Sequence, residues 1–261
     1  MNIEKIKELN ENGFCVLENQ INDSWINKIT DVLPEVFESH HKTQLELGNE
    51  NTVPGVALNV LLDNHIFIEF LEYLIEIKLL DNIKKNFFKS NFILNSFSAL
   101  NNLPERQNFS KLVHRDVRAY SGEIPLYLNI LVMLDDFTET NGSTLVLPGS
   151  HVDPTTPSDE FFHANAVQTL GKRGDVLLFN GNLFHASGLN KSSTGRRALP
   201  ITFTKSFYKQ LMDYPRALGY NKMNEFSEPL QQILGYHSRV PSNLNEWYQA
   251  GDKRFYRKNQ D

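Results

Sequence analysis

The stretch LYLNILVML, residues 126–134, decides how this chain is read. Leu126, Leu128, Ile130, Val132 and Leu134 alternate with Tyr127, Asn129, Leu131 and Met133, so the two sets fall on opposite faces of an extended strand. Period two persists from about residue 112 to 208. Asn141-Gly142 is a tight-turn signal ahead of STLVLPGSH (143–151), and DVLLFN (175–180) and LPITFTKSF (199–207) read as further strands.

Residues 1–100 read differently, as mainly helical. Ile3, Ile6 and Leu9 mark a short helix and GFCVLEN (13–19) a strand. A second helix is expected from Asp23 as N-cap through Trp25, Ile29 and Leu33. Pro34 is expected to kink or end it, with Val36 and Phe37 adding at most a further turn. ENTVPGVALN (50–59) is a loop, 64–88 is helical, and NFILNSFSAL (91–100) is the first core strand. Short strands with turns between them, and helices confined to the first part, predict a mainly β fold with flanking helices and a jelly-roll core. No repeat or linker divides the chain. The expectation is one domain over 1–261, with a helical part at about 1–90, the core at about 91–210 and a C-terminal extension at about 211–261.

Composition narrows the class. With 261 residues, 40% hydrophobic and 22% charged, the chain can bury a substantial core and is not disordered. A net charge of −5 without a long basic block argues against nucleic acid as partner; KRFYRK (253–258) reads as a solvated tail face. Cys15 is the single cysteine, which excludes a disulfide framework and a thiolate metal cage, and it reads as a buried strand residue. The first ten residues mix both charge signs without an apolar h-region. IFIEFLEYLIEIKLL (66–80) carries Glu69, Glu72, Glu76 and Lys78, as core-facing helices do and a membrane span does not. A cytoplasmic protein with a small-molecule partner, no nucleic acid and no membrane is expected, its oligomeric state left open.

Chemistry concentrates in LVHRDVRAY (112–120) and GDVLLFNGNLFHASGLN (174–190). On a strand or its end, His114 and Asp116 emerge on one face, being two apart. His185 follows 71 residues later, beyond DVLLFN, with room for intervening strands. Two His and one carboxylate on one face of a metal suit a non-haem Fe(II) oxygenase. A lone H-x-D is weak, and there is a second, His151 and Asp153. It follows the turn PGS only 34 residues before His185, leaving fewer strands to close a barrel, so His151 is read as a turn or capping residue. The first pair gains weight from Arg196, eleven residues past His185 at the head of RALPITF. A guanidinium is a planar two-pronged partner for a carboxylate. Arg196 and Arg197 are adjacent, so one faces the barrel and the other solvent.

The order HRD (114–116), NGSTLVLPGSH (141–151), GDVLLFNGNLFHASGLNKS (174–192) and RRAL (196–199) resembles the phytanoyl-CoA dioxygenase family of Fe(II)/2-oxoglutarate oxygenases. The matching motifs span about residues 96–208. The resemblance implies a double-stranded β-helix, cupin-like core with the metal at one mouth. It maps iron ligands onto His114, Asp116 and His185, the 2-oxoglutarate carboxylate anchor onto Arg196, and a cosubstrate contact onto Ser187. The implied reaction consumes 2-oxoglutarate and O2, hydroxylates an unactivated C–H bond and releases succinate and CO2. Related halogenases lack the carboxylate that Asp116 supplies here, which favours hydroxylation; desaturation and ring closure use the same ligands.

Other assignments stay open. Asn129 interrupts an apolar face, and its amide must find either cosubstrate oxygens or a neighbouring backbone group. Asn101 and Asn102 fall near a polar cosubstrate position of the family, with a loop role the simpler reading. Arg118 shares parity with Asp116 and could hold an anionic substrate group or pair with Glu123. No ADP-binding basic cluster stands out, favouring a free small molecule over a coenzyme A thioester. The tail with Trp247 and Tyr248 could cover the mouth or make a dimer contact. A non-catalytic jelly-roll binding protein and a zinc hydrolase on the same ligands are the competing readings; the second leaves Arg196 without a role.

Overall fold

All seven residues of the strand Tyr127–Met133 are buried, because both of its faces are covered. Leu128, Ile130 and Val132 enter the main core together with the helices, while Leu131 and Met133 point into the barrel. A computed structural model describes residues 2–50, 52–104, 112–258 and 260. Its strands are β1 (Phe14–Leu17), β2 (Val56–Ala57), β3 (Phe92–Phe97), β4 (Ala99–Asn102), β5 (Tyr127–Met133), β6 (Thr144–Val146), β7 (Val167–Gln168), β8 (Val176–Asn180), β9 (His185–Ser187) and β10 (Arg196–Lys205). A larger sheet runs β1-β8-β5-β10-β4-β2, with β3 also on β10; a smaller one runs β7-β6-β9. Their pairings are antiparallel, and the architecture is a double-stranded β-helix buttressed by helices.

The helices are α1 (Ile3–Asn12), α2 (Asp23–Glu46), α3 (Ile66–Glu76), α4 (Leu79–Ile83), α5 (Asp159–Asn165), α6 (Tyr214–Leu218), α7 (Glu228–Leu234) and α8 (Leu244–Trp247). Helices therefore also occur beyond the first hundred residues, contrary to the sequence expectation. Leu230, Ile233 and Leu234 of α7 complete the core behind the larger sheet, so this part of the C-terminal extension packs on the helical side. Trp247 and Tyr248 remain exposed. Cys15 is buried on β1, and burial pushes its thiol up to about 12. No helix among the described residues is long and apolar enough to cross a membrane.

Two helix details depart from expectation. Asn22, not Asp23, is the N-cap of α2: its Oδ1 accepts from the Trp25 N–H at 3.1 Å. Asp23 sits in the first turn and meets Arg173 instead. Pro34 does not end the helix, which runs on to Glu46. The apolar stripe of Ile26, Ile29 and Leu33 continues in Val36 and Phe37. A proline in a helix interior costs about 3 kcal/mol, and burying two large apolar side chains offsets a loss of that order.

Candidate metal centre

His185 opens β9, and the segment carrying His114 lies beside it. His114 and His185 form a single antiparallel bridge: the His114 N–H donates to the His185 carbonyl at 3.1 Å, and the reverse bond is 2.9 Å. The Asp116 N–H donates to the Gly181 carbonyl at 3.0 Å. His114 thus sits in an isolated bridge and Asp116 opens a bend over residues 116–119, so neither lies on a regular strand, and isolated backbone bonds fix both. Their side chains still converge. One ligand atom from each of His114, Asp116 and His185 lies within 4.8 Å of the others.

The tautomers follow from the backbone. Nδ1 of His114 lies 2.7 Å from the Leu112 carbonyl, and Nδ1 of His185 lies 3.0 Å from the Leu183 carbonyl. A carbonyl can only accept, so each Nδ1 carries a proton, and each ring, when neutral, presents the Nε2 lone pair inward. These Nε2 atoms stand 3.6 and 3.7 Å from the two Asp116 carboxylate oxygens. Burial alone would lower the His114 pKa, but the Asp116 carboxylate and the Leu112 carbonyl outweigh it and raise it above its ordinary value. His185, more deeply buried, is held below its ordinary value by desolvation, with Asp116 only partly opposing. Burial would raise Asp116, yet the two imidazoles and the Asn129 amide keep it below the usual carboxylate range.

The cluster forms one side of a cavity of about 220 Å³ inside the barrel, whose wall also includes Asn129, Leu131, Thr144, Phe179, Ser187 and Thr202. Ser187, two residues past His185, is thus a wall residue of the same cavity as the cluster. Asn129 lies at the wall too, but its amide uses neither partner expected for it. Nδ2 donates to Asp116 Oδ2 at 2.7 Å and Oδ1 accepts from Thr202 Oγ1 at 2.7 Å. Register explains this, since Asn129 pairs directly with Thr202 across β5 and β10. Thr202, absent from the sequence reading, was findable only through that register.

Arg196 stands on the same face of β10 as Thr202 and Pro200, six residues from Thr202, and is not itself a wall residue of the cavity. It is 2% exposed and makes no ion pair among the described residues. Its guanidinium lies 4.1 Å from the Phe137 ring centroid, and Nε has no hydrogen-bond partner. Burial brings its pKa down to about 10, with Asp135 opposing. A buried cation with an unused donor fits an incoming carboxylate. Arg197 is not solvent-exposed as expected: its backbone N–H and guanidinium grip Asp135 at 2.7–3.0 Å. Asn101 and Asn102 are strand residues of β4 opposite Arg197 and Arg196, not loop residues. Asn102 Nδ2 ties the Gly142 and Gly188 carbonyls together.

Arg118 is exposed beyond the bend, lies outside the cavity wall and makes no ion pair with Glu123 among the described residues. His151 is a buried turn residue whose Nε2 meets the Asn10 carbonyl at 3.1 Å. Asp153 caps Thr155, and the pair gathers no third ligand among the described residues.

A double-stranded β-helix thus carries a His-Asp-His cluster able to hold a metal ion and, on β10, a buried arginine. The chain belongs to the phytanoyl-CoA dioxygenase (PhyH) family, whose model matches residues 9–198. It is 36% identical to the uncharacterized protein Rv1501 of Mycobacterium tuberculosis, over 97% of this chain and 93% of that protein. It is also similar to proteins named as dioxygenases: sphC of Aspergillus fumigatus, 31% identical over 51% of this chain and 38% of that protein, and FUM3 of Gibberella moniliformis, 28% identical over 49% and 45%. The matched regions thus cover about half of this chain and less than half of those two fungal proteins.

Proposed function

We propose that this chain, acting as one domain in the cytoplasm, is an Fe(II)/2-oxoglutarate-dependent oxygenase that hydroxylates an unactivated C–H bond of a small molecule. Bound ferrous iron, with 2-oxoglutarate and O2, supplies the oxidising chemistry that puts oxygen into the C–H bond and releases succinate and CO2. The protein's part is positional. His114, Asp116 and His185 would hold the metal through Nε2 and carboxylate oxygen, a ligand set that suits a non-haem Fe(II) oxygenase. Nδ1–H bonds to Leu112 and Leu183 fix both rings, and Asn129 fixes the carboxylate. Arg196 would take the far carboxylate of the cosubstrate, and Ser187 would contact it nearer the metal. Leu131 and Phe179 add apolar surface to the wall beside the cluster.

The observation that carries this reading over a zinc hydrolase or a binding-only barrel is Arg196, buried with no ion pair among the described residues and with its Nε unused. Anaerobic Fe(II) plus 2-oxoglutarate is expected to give a weak visible charge-transfer band, and admitting O2 to release succinate. A protein that binds Fe(II) but develops no band with 2-oxoglutarate would falsify the reading.

A further inference from the structure

Apart from His114, Asp116 and His185, no described residue in the cavity wall carries an ionisable side chain. Leu58, Leu100, Leu131, Phe179 and Pro200 make the wall mainly apolar, and its remaining polar groups are hydroxyls and the Asn129 amide. These hydroxyls differ in what they already do. Thr202 donates to Asn129 at 2.7 Å, whereas the Ser96 and Ser98 side chains make no hydrogen bond among the described residues. Both serines are held on fixed backbone: Ser96 pairs with Thr202, and the Ser98 N–H donates to the Pro200 carbonyl at 2.8 Å.

A charged group other than the cosubstrate, whose carboxylates are assigned to the metal and Arg196, would lose its hydration here and meet no further counter-charge among the described wall residues, which is strongly unfavourable. A hydrocarbon skeleton would gain from leaving water, and the unused hydroxyls of Ser96 and Ser98 favour an oxygen acceptor beside it. We propose that the primary substrate lays an uncharged, mainly hydrocarbon skeleton against Leu58, Phe179 and Pro200, with a carbonyl, ether or hydroxyl oxygen accepting from Ser96 and Ser98. Amino acids, other zwitterions and free carboxylates are disfavoured here, and Arg118, the cation the sequence offered to an anionic substrate, stands outside the wall. This specificity rests on the oxygenase reading above.

The test uses the full chain loaded anaerobically with Fe(II) and 2-oxoglutarate, and two matched probe sets. One is camphor, camphorsulfonate and bornylamine; the other is methyl decanoate, decanoate and decylamine. At least one neutral probe is expected to perturb the charge-transfer band, and to stimulate succinate release once O2 is admitted, at concentrations about tenfold below its charged partners. Ser96→Ala combined with Ser98→Ala is expected to weaken that response about tenfold while leaving the probe-free band unchanged. If the double variant fails to fold, Ser96→Ala alone is read in the same way. A charged partner that matches its neutral one, a band intact but deaf to every neutral probe, or serine variants with a full response overturns the proposal. Loss of the band in the unmutated protein overturns the oxygenase reading instead, so the two failures are distinct.

Discussion

Asn129 reaches Asp116 across the barrel: its amide Nδ2 donates to the carboxylate over 2.7 Å, while its Oδ1 is pinned by Thr202 at the same distance. The carboxylate is thereby held in one orientation by a chain of two hydrogen bonds that starts on β10. Asn129→Ala is expected to lower Fe(II) or Co(II) affinity about 10- to 100-fold, the usual effect of losing a partner that orients a metal ligand. Thr202→Val removes only the second link and should cost less. Metal titration followed by Co(II) absorption measures both. A Thr202→Val loss equal to that of Asn129→Ala would mean that the amide does not act through Asp116.

The two adjacent arginines separate by what their removal disturbs. Arg196→Lys keeps the charge but loses the planar fork, and is expected to raise the apparent KM for 2-oxoglutarate at least tenfold. Arg197→Ala breaks a partly exposed pair with Asp135 and should lower stability by about 0.5–1 kcal/mol without moving that KM. Steady-state kinetics and thermal melts on the two variants decide it; equal effects on KM would refute the assignment of Arg196.

Proton competition gives the metal affinity its pH dependence. The metal takes neutral imidazole, and His114 in the metal-free protein holds its proton above the ordinary histidine value. Binding must expel that proton whenever the pH lies below the raised pKa. Apparent affinity should therefore fall about tenfold per unit as the solution is acidified through and below that point. His185, whose pKa burial depresses, adds a second competing proton only at lower pH. Co(II) dissociation constants measured from pH 8 downward, if flat until well below about 6.5, would contradict this.

What could be read from the chain, and what could not, divides along sequence distance. The alternation of LYLNILVML puts two sets of residues on opposite faces of one strand, and the structure separates them in that way and buries both. The convergence of His114, Asp116 and His185 was legible because each sits in a short motif whose order the fold preserves. The partner of Asn129 was not legible: Thr202 is 73 residues away, and only strand register brings it near. Asp135 likewise lies 62 residues from Arg197, so a local reading left that side chain in solvent. Pro34 misled for a different reason. A local rule about helix interiors was outweighed by burial of Val36, a tertiary effect.

Arg115, between the two N-terminal members of the cluster, offers the last prediction. The His114–His185 bridge brings the neighbours of both residues together, and the Arg115 guanidinium lies 4.0 Å from the ring centroid of Phe184, the residue before His185. Its Nη2 donates to the Asp153 carbonyl at 2.8 Å, while Tyr120, 5.3 Å from the guanidinium, donates to the Val152 carbonyl. The backbone of the second H-x-D thus anchors the segment that carries His114 and Asp116, and its side chains join no potential metal-holding group among the described residues. Arg115→Lys loses the planar stack but keeps the charge, and Phe184→Leu keeps apolar bulk but loses the ring. Each is expected to weaken Co(II) binding several-fold, with a coupling of about 0.5–1 kcal/mol between them in a double-mutant cycle. Asp153→Ala retains the carbonyl and should leave affinity unchanged. A cycle with zero coupling would show that the Arg115–Phe184 stack does not set the spacing of His114 and His185.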